Sequence, residues 1–320
     1  MICAGLIFTT VSAHPLLATE KTIQVQVTPI PLDPLHPADK EFGELTYVGG
    51  AVLSSDAPEF GGLSGLIISS DGTHLTAVSD KGYWLTANIL SDGEVLKGLA
   101  DVRISPLLTP TKLPVQNNWS DAEGLTRAPS GQLIVSFERH HRIWSYDVKS
   151  KGFQALPKPV RLPPSVKSIR FNKGLESITY LDDGRLMMLT EHSFDAQSRL
   201  LGWLSTDQGF KEIYVAPSGL FHITDMARLP DGDILLLERR YTIIGGPGMQ
   251  IRRIAKQDIQ PGNVLDGPIL IELSSRFNID NMEGLAIRST PGGGVYLYVI
   301  SDDNFSDVQR TVLFIFKLYI

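Results

Sequence analysis

Residues 121–138 read Asp121-Ala-Glu123-Gly-Leu-Thr-Arg-Ala-Pro-Ser130-Gly131-Gln-Leu-Ile-Val-Ser-Phe-Glu138: an acid, an apolar run, a glycine-centred turn, a second apolar run, another acid. Four other stretches follow the same order. They run from Gly62-Leu-Ser64-Gly-Leu to Asp80, from Gly174-Leu-Glu176-Ser-Ile to Glu191, from Thr224-Asp225-Met-Ala to Glu238, and from Asn281-Met-Glu283-Gly-Leu to Asp302. The leading positions 64, 123, 176, 225 and 283 lie 59, 53, 49 and 58 residues apart. A period near 50, built from short strands and turn residues, marks a propeller in which each repeat is one blade.

The strand pattern counts the blades. In the first unit Gly65 to Ser69, Leu75 to Ser79, Tyr83 to Ile89 and Val95 to Ile104 read as four strands. Asp71-Gly72 and Asp92-Gly93 form the hairpin turns between them, because Asp-Gly tolerates positive φ. The fifth unit has only Val295 to Ile300 and Thr311 to Leu318 after its first strand, and so is one strand short. Ahead of the first unit, Glu44 to Ser54 is a strand without a blade. The two deficits cancel if that strand completes the fifth blade, a closure that removes two exposed sheet edges. The expected fold is all-β, a propeller of five four-stranded blades closed by an N-terminal strand. A further strand at Thr22 to Thr28 keeps six blades as the alternative.

Composition narrows the partners. The chain has 320 residues, 42% hydrophobic and 20% charged, with a formal net charge of −6. No Lys/Arg cluster is interleaved with aromatics, which argues against nucleic acid. Residues 1–13 are apolar and end in Val11-Ser12-Ala13, a small-x-small cleavage pattern lacking the positive n-region. Residues 1–19 are therefore expected to be a signal peptide or its remnant, and 20–320 a single propeller domain in the periplasm or secreted. That run is too short to span a bilayer and no other segment is long enough, so a monomer without a membrane span is expected. Cys3 is the only cysteine and would leave with the leader.

The repeated acids carry the chemistry. The first strand of a propeller blade lines the central channel, so the leading residues should converge there. The second acid lies 15 residues on in two units, at 138 and 191. One strand up and one strand down returns it to the same end of the blade. Two carboxylates about 6 Å apart repel by roughly 3 kcal/mol at an effective dielectric near 20. A cation, arginine partners or raised pKa values must relieve a ring containing Glu123, Glu176, Asp225 and Glu283. Oxygen donors alone point to Ca²⁺, with Mg²⁺ as the second choice. Asp302, in an oxygen-rich loop, joins the metal-ligand candidates. Arg139, Arg239 and Arg240 follow the second acids directly and offer ion pairing instead.

Glu138, Glu191 and His192 are the candidates for proton transfer, with His140 and His141 on the same face. Acids at strand starts also cap turns, so a structural origin for the repeat stands beside the catalytic one. Gly62-Leu-Ser64-Gly65 falls short of a nucleophile elbow because Leu66 stands where the second glycine is needed. Ser64 reads as a substitution in the carboxylate slot.

Taken together, Asp-Ala-Glu123-Gly-Leu, Gly174-Leu-Glu176-Ser-Ile, Leu-Leu-Leu-Glu238-Arg239 and Asn281-Met-Glu283-Gly-Leu resemble the phytase-like, "esterase-like activity of phytase" family of exported bacterial proteins. The resemblance covers roughly residues 43–318 and implies a β-propeller related to propeller phytases and lactonases. In the similar gluconolactonase-type propellers a Glu-Gly glutamate on a first strand binds one divalent cation. Glu123 matches that motif best and Glu283 next. The fourth unit departs from the pattern, since Glu238 is out of register with Glu138 and Glu191.

Two functions follow as expectations. One is a metal-dependent hydrolase acting on a small-molecule ester or phosphoester at the channel. The other is a non-catalytic exported propeller that binds a ligand or protein partner around a structural cation. Phytate is a poor substrate for either, because a hexaphosphate needs a strongly cationic cleft.

Overall fold

A computed structural model describes residues 19–171 and 174–319. The expected leader lies outside the described residues up to position 18. Five small sheets form a ring, as the repeat predicts. The innermost strands of blades 1 to 5 are Leu63–Ile68, Ala122–Arg127, Leu175–Tyr180, His222–Arg228 and Asn281–Ser289.

The N-terminal closure is present. Leu45–Ser54 pairs antiparallel with Thr311–Leu318, from Leu45 opposite Leu318 to Leu53 opposite Thr311, and supplies the fourth strand of blade 5. The leftover strand expected at Thr22 to Thr28 is not the start of a sixth blade. It divides into Lys21–Thr22, which pairs with the outer strand Val95–Pro106 of blade 1, and Gln26–Pro29, which pairs with Leu45–Ser54 of blade 5. One short segment thereby ties together the two blades where the ring closes. The buried side chain of Ile23 sits between those pairings, and its N–H donates to the Val102 carbonyl at 2.9 Å.

Period-two alternation explains why the blades stack. Successive side chains of a strand face opposite sides of the sheet. In blade 3, Met187 and Leu189 pack toward blade 4, whereas Met188 packs toward blade 2. In blade 4, Ile234 and Leu236 face blade 3, whereas Leu235 and Leu237 face blade 5. The hydrophobic clusters of the described residues accordingly map onto the five junctions between neighbouring blades.

The Asp-Gly turns are structural. Asp71, Asp183 and Asp231 each accept a bond from the backbone N–H two residues on, at 3.0 Å. The following glycines 72, 184 and 232 take φ of +77°, +83° and +95°, where a side chain is strained.

Candidate functional site

Each innermost strand is interrupted near its N-terminal end by a register shift against the next strand. A β-bulge leaves a residue out of the ladder and re-aims its side chain. In blade 2 the shift spans Glu123, between Ala122 opposite Phe137 and Leu125 opposite Val135. In blade 3 it leaves out Glu176, in blade 5 Glu283, and in blade 1 Ser64 with Gly65. In blade 4 the residue left out is Thr224, because Ile223 pairs with Glu238 and Asp225 pairs with Leu237. The true first slot therefore holds Ser64, Glu123, Glu176, Thr224 and Glu283. Asp225, expected in that slot, stands one residue beyond it.

The same register corrects the second slot. The residue following the partner of the last paired position before the bulge is Asp80, Glu138, Glu191, Arg239 and Asp302 in blades 1 to 5. Glu238 is out of step, as its spacing indicated, and an arginine occupies the fourth place.

Crowding accounts for the glycine after the first slot. A Cβ at Gly124 would lie 2.6 Å from the Glu176 carbonyl oxygen, and one at Gly284 would lie 2.1 Å from that of Ser64. The innermost strands of adjacent blades approach too closely there for a side chain. Asp225 fills this glycine position in blade 4 and bridges blades. Its Oδ1 accepts from Met226 N at 2.8 Å and its Oδ2 from Leu285 N at 2.7 Å. Burial pushes its pKa well up. Glu238 is fully buried and bound by Arg252 at 2.6 Å and 2.8 Å and by Gln250 at 2.6 Å.

The remaining acids gather in two unlike groups. On the side of blades 2 and 3, carboxylate oxygens of Asp121, Glu123 and Glu138 lie within 4.8 Å of one another, as do those of Glu138, Glu176 and Glu191. Glu138 belongs to both sets. Its Oε1 accepts from Gly174 N at 2.9 Å, and Ser64 Oγ donates to Glu123 Oε2 at 3.0 Å. Burial first, then repulsion from neighbouring carboxylates, pushes Glu123 and Glu176 well above the usual range. Glu138 rises to about 7, chiefly through burial. Asp80 rises to about 6 through burial and the nearby Asp121. Asp121 itself is bound by Arg139 at 2.6 Å on the outer side.

On the side of blades 4 and 5, Arg239 supplies a counter-charge. Its Nε lies 2.7 Å from Glu283 Oε1 and its Nη2 3.1 Å from Glu191 Oε1. Asn281 Nδ2 also donates to Glu283 Oε1 at 2.8 Å. Burial lifts Glu283 to about 7 in spite of Arg239. Asp302 is buried and pushed well up by burial and by Glu283, and its Oδ1 accepts from Asn304 N at 2.6 Å.

The histidines stand around this floor. His192 Nδ1 meets His222 Nδ1 at 2.9 Å, beside the ring of Phe194. His140 stacks on Trp119 at 4.2 Å. His141 packs over Gly174 beside Glu138, its Nε2 is 3.1 Å from the Arg170 carbonyl, and burial lowers its pKa. Sequence reasoning left Asp80 and Asp121 out of the site although both lie in the repeated motifs. Their signal was position in the repeat, obscured by the uneven spacing of the second slot.

The opposite end of the innermost strands is different. A cavity of about 310 Å³ there is lined by Leu66, Leu125, Met226 and Leu285, and its Asp182 is paired with Arg228. The repeated acids of the first and second slots thus collect at the other end. No helix among the described residues is long and apolar enough to cross a membrane.

The family described as phytase-like, esterase-like activity of phytase, matches residues 58–305. No curated protein is matched by this sequence. Among solved structures, virginiamycin B lyase from Staphylococcus aureus is similar at 12% identity and TM-score 0.43, over 92% of this chain and 100% of that one. A gluconolactonase from Xanthomonas campestris is similar at 12% identity and TM-score 0.42, over 93% and 99%. A PQQ-bound aldose sugar dehydrogenase from Streptomyces coelicolor is similar at 14% identity and TM-score 0.44, over 84% and 98%.

Proposed function

The chain belongs to the phytase-like family described by esterase-like activity of phytase, and from that premise we propose a cation-dependent hydrolase of ester or phosphoester bonds, working at the acidic end of the channel. The observation that carries this reading is the double membership of Glu138 in two groups of three close carboxylates. Such a cluster requires protons or a cation to balance it.

The residues fit a hard divalent cation, Ca²⁺ before Mg²⁺. Every donor in the cluster is a carboxylate oxygen, and Asp80 Oδ1 and Glu283 Oε2 are buried without a hydrogen-bond partner. Glu123 and Glu176 would hold the ion, with Asp80 and Asp302 toward blades 1 and 5, and Glu138 would stand beside it as the group that is left to exchange a proton. When bound, it would polarise an ester oxygen and acidify a water.

The protein's own groups handle the proton. Glu138, with a pKa of about 7, exchanges a proton near neutral pH. Gly174 N fixes its Oε1, so Oε2 is the atom presented to water or leaving group. Glu191 is engaged by Arg239 and serves to hold that guanidinium in place. His192, whose Nδ1 lies 2.9 Å from His222 Nδ1, is the second candidate for proton transfer.

Hydrolysis of p-nitrophenyl acetate and p-nitrophenyl phosphate, with and without EDTA, tests this reading. EDTA-sensitive turnover of at least one ester is expected, with Glu138→Gln losing it by about 100-fold or more while circular dichroism stays native. Absence of EDTA-sensitive turnover on both esters would leave a ligand-binding propeller with a structural cation as the better description.

A further inference from the structure

A cavity of about 630 Å³ opens beside the acidic floor between blades 4 and 5, lined by Arg239, Arg240, Tyr241, Asp280, Asn304 and Val308 among others. Its charges divide into committed and uncommitted ones. Arg239 is taken by Glu191 and Glu283. Asp280 accepts from Arg310 Nε at 3.4 Å, from Arg310 N at 3.2 Å and from Asn281 N at 3.0 Å. Arg240 has no carboxylate partner among the described residues, while the neighbouring Arg239, Arg252 and Arg253 all do.

The seat of Arg240 is nonetheless built. The residue lies opposite Gly248 in the hairpin, and a Cβ at Gly248 would meet its Nε at 2.9 Å and its Cζ at 3.0 Å. The guanidinium therefore lies against the bare backbone of Gly248. Its far side faces the Phe221 ring at 5.2 Å, close enough for a cation–π contact. Planar, pre-organised and unpaired, it presents donors suited to an oxyanion. Tyr241 and Val308, 72% and 88% exposed, offer apolar surface beside it.

We propose that this cavity is a substrate subsite in which Arg240 recognises an anionic substituent, a carboxylate or phosphate, set away from the bond that is broken. The proposal rests on the hydrolase reading above and narrows its substrate class to esters carrying a second, negatively charged group. Arg240 is a specificity residue here and takes no part in the chemistry.

Two measurements test it. In the first, mono-p-nitrophenyl succinate is compared with neutral p-nitrophenyl acetate. Arg240→Ala should raise KM for the succinate ester about 10-fold, a typical loss for one charged hydrogen bond, with kcat nearly unchanged. The acetate ester should be indifferent to the change, and Arg240→Lys should recover part of the loss. The second measurement needs no turnover. Succinate and inorganic phosphate, each without added calcium, should raise the melting temperature of the wild type and leave Arg240→Ala unmoved, and the larger response identifies the preferred anion. Equal changes in KM for both esters would overturn the proposal, as would anion stabilisation that is absent from the wild type or persists in Arg240→Ala. If neither ester turns over but stabilisation depends on Arg240, the subsite stands and the hydrolase reading falls.

Discussion

The two sides of the acidic channel end share one strand register and differ in who balances the charge. In blades 4 and 5 the second slot of blade 4 holds Arg239, which binds Glu191 and Glu283 together. In blades 2 and 3 the equivalent slots hold Glu138 and Glu191, and no Lys or Arg among the described residues pairs with Glu123, Glu138 or Glu176. One side has a counter-charge supplied by the fold. The other is left to a proton or an external cation, and that is the side where chemistry is proposed. A single residue type at a repeated position therefore divides a side with an arginine counter-charge from a side without one.

Substituting Arg239 should break the comparison most severely. Arg239→Ala leaves Glu191 and Glu283 without their counter-charge, a change expected to cost about 3 kcal/mol or more in urea unfolding. Stability equal to wild type would show that the two halves are not balanced differently. Next in size is a contrast of magnitude. Without divalent cation at pH 8, Glu138→Gln should raise the melting temperature by several degrees because it removes an uncompensated buried charge. Glu283→Gln should raise it by less, because the relief of removing that buried charge is offset by the partner Arg239 loses. Equal increases for the two variants would refute the division.

The pH dependence sharpens the same point. Glu138 has a folded-state pKa of about 7, above its ordinary value of 4.5. The folded protein thus binds the proton more tightly than the unfolded chain. The associated stability is fully present below about 4.5 and is lost as pH rises through about 7. EDTA-treated protein should melt at lower temperature at pH 8 than at pH 5.5, and Ca²⁺ should restore the difference at pH 8. A melting curve indifferent to both pH and Ca²⁺ would argue against the unbalanced cluster. The smallest effect is expected at Thr224, the uncharged member of the first slot. Its Oγ1 donates to the Met282 carbonyl at 3.0 Å, so Thr224→Val should cost about 1 kcal/mol in urea unfolding and leave EDTA sensitivity unchanged.

The blade count and the closing strand were legible in the chain because both follow from local signals. Apolar alternation and glycine-centred turns recur in every unit at a period near 50, and the surplus strand at the N-terminus matches the deficit at the C-terminus. The site was legible only in outline. Glu123, Glu176 and Glu283 stand in the first slot as the Glu-Gly and Glu-Ser spacing implied. Asp225 was misplaced by one residue, since the position of a bulge depends on which residues pair across the hairpin and a one-residue slip turns a side chain to the other face.

Sequence by itself determined a closed all-β ring with acids repeated at one end of the blades, because strand period and turn chemistry act over a few residues at a time. Tertiary structure alone decided which of those acids are balanced. Charge compensation here joins residues far apart in the chain, Arg239 with Glu191 and with Glu283, and only the packing of neighbouring blades brings them within reach.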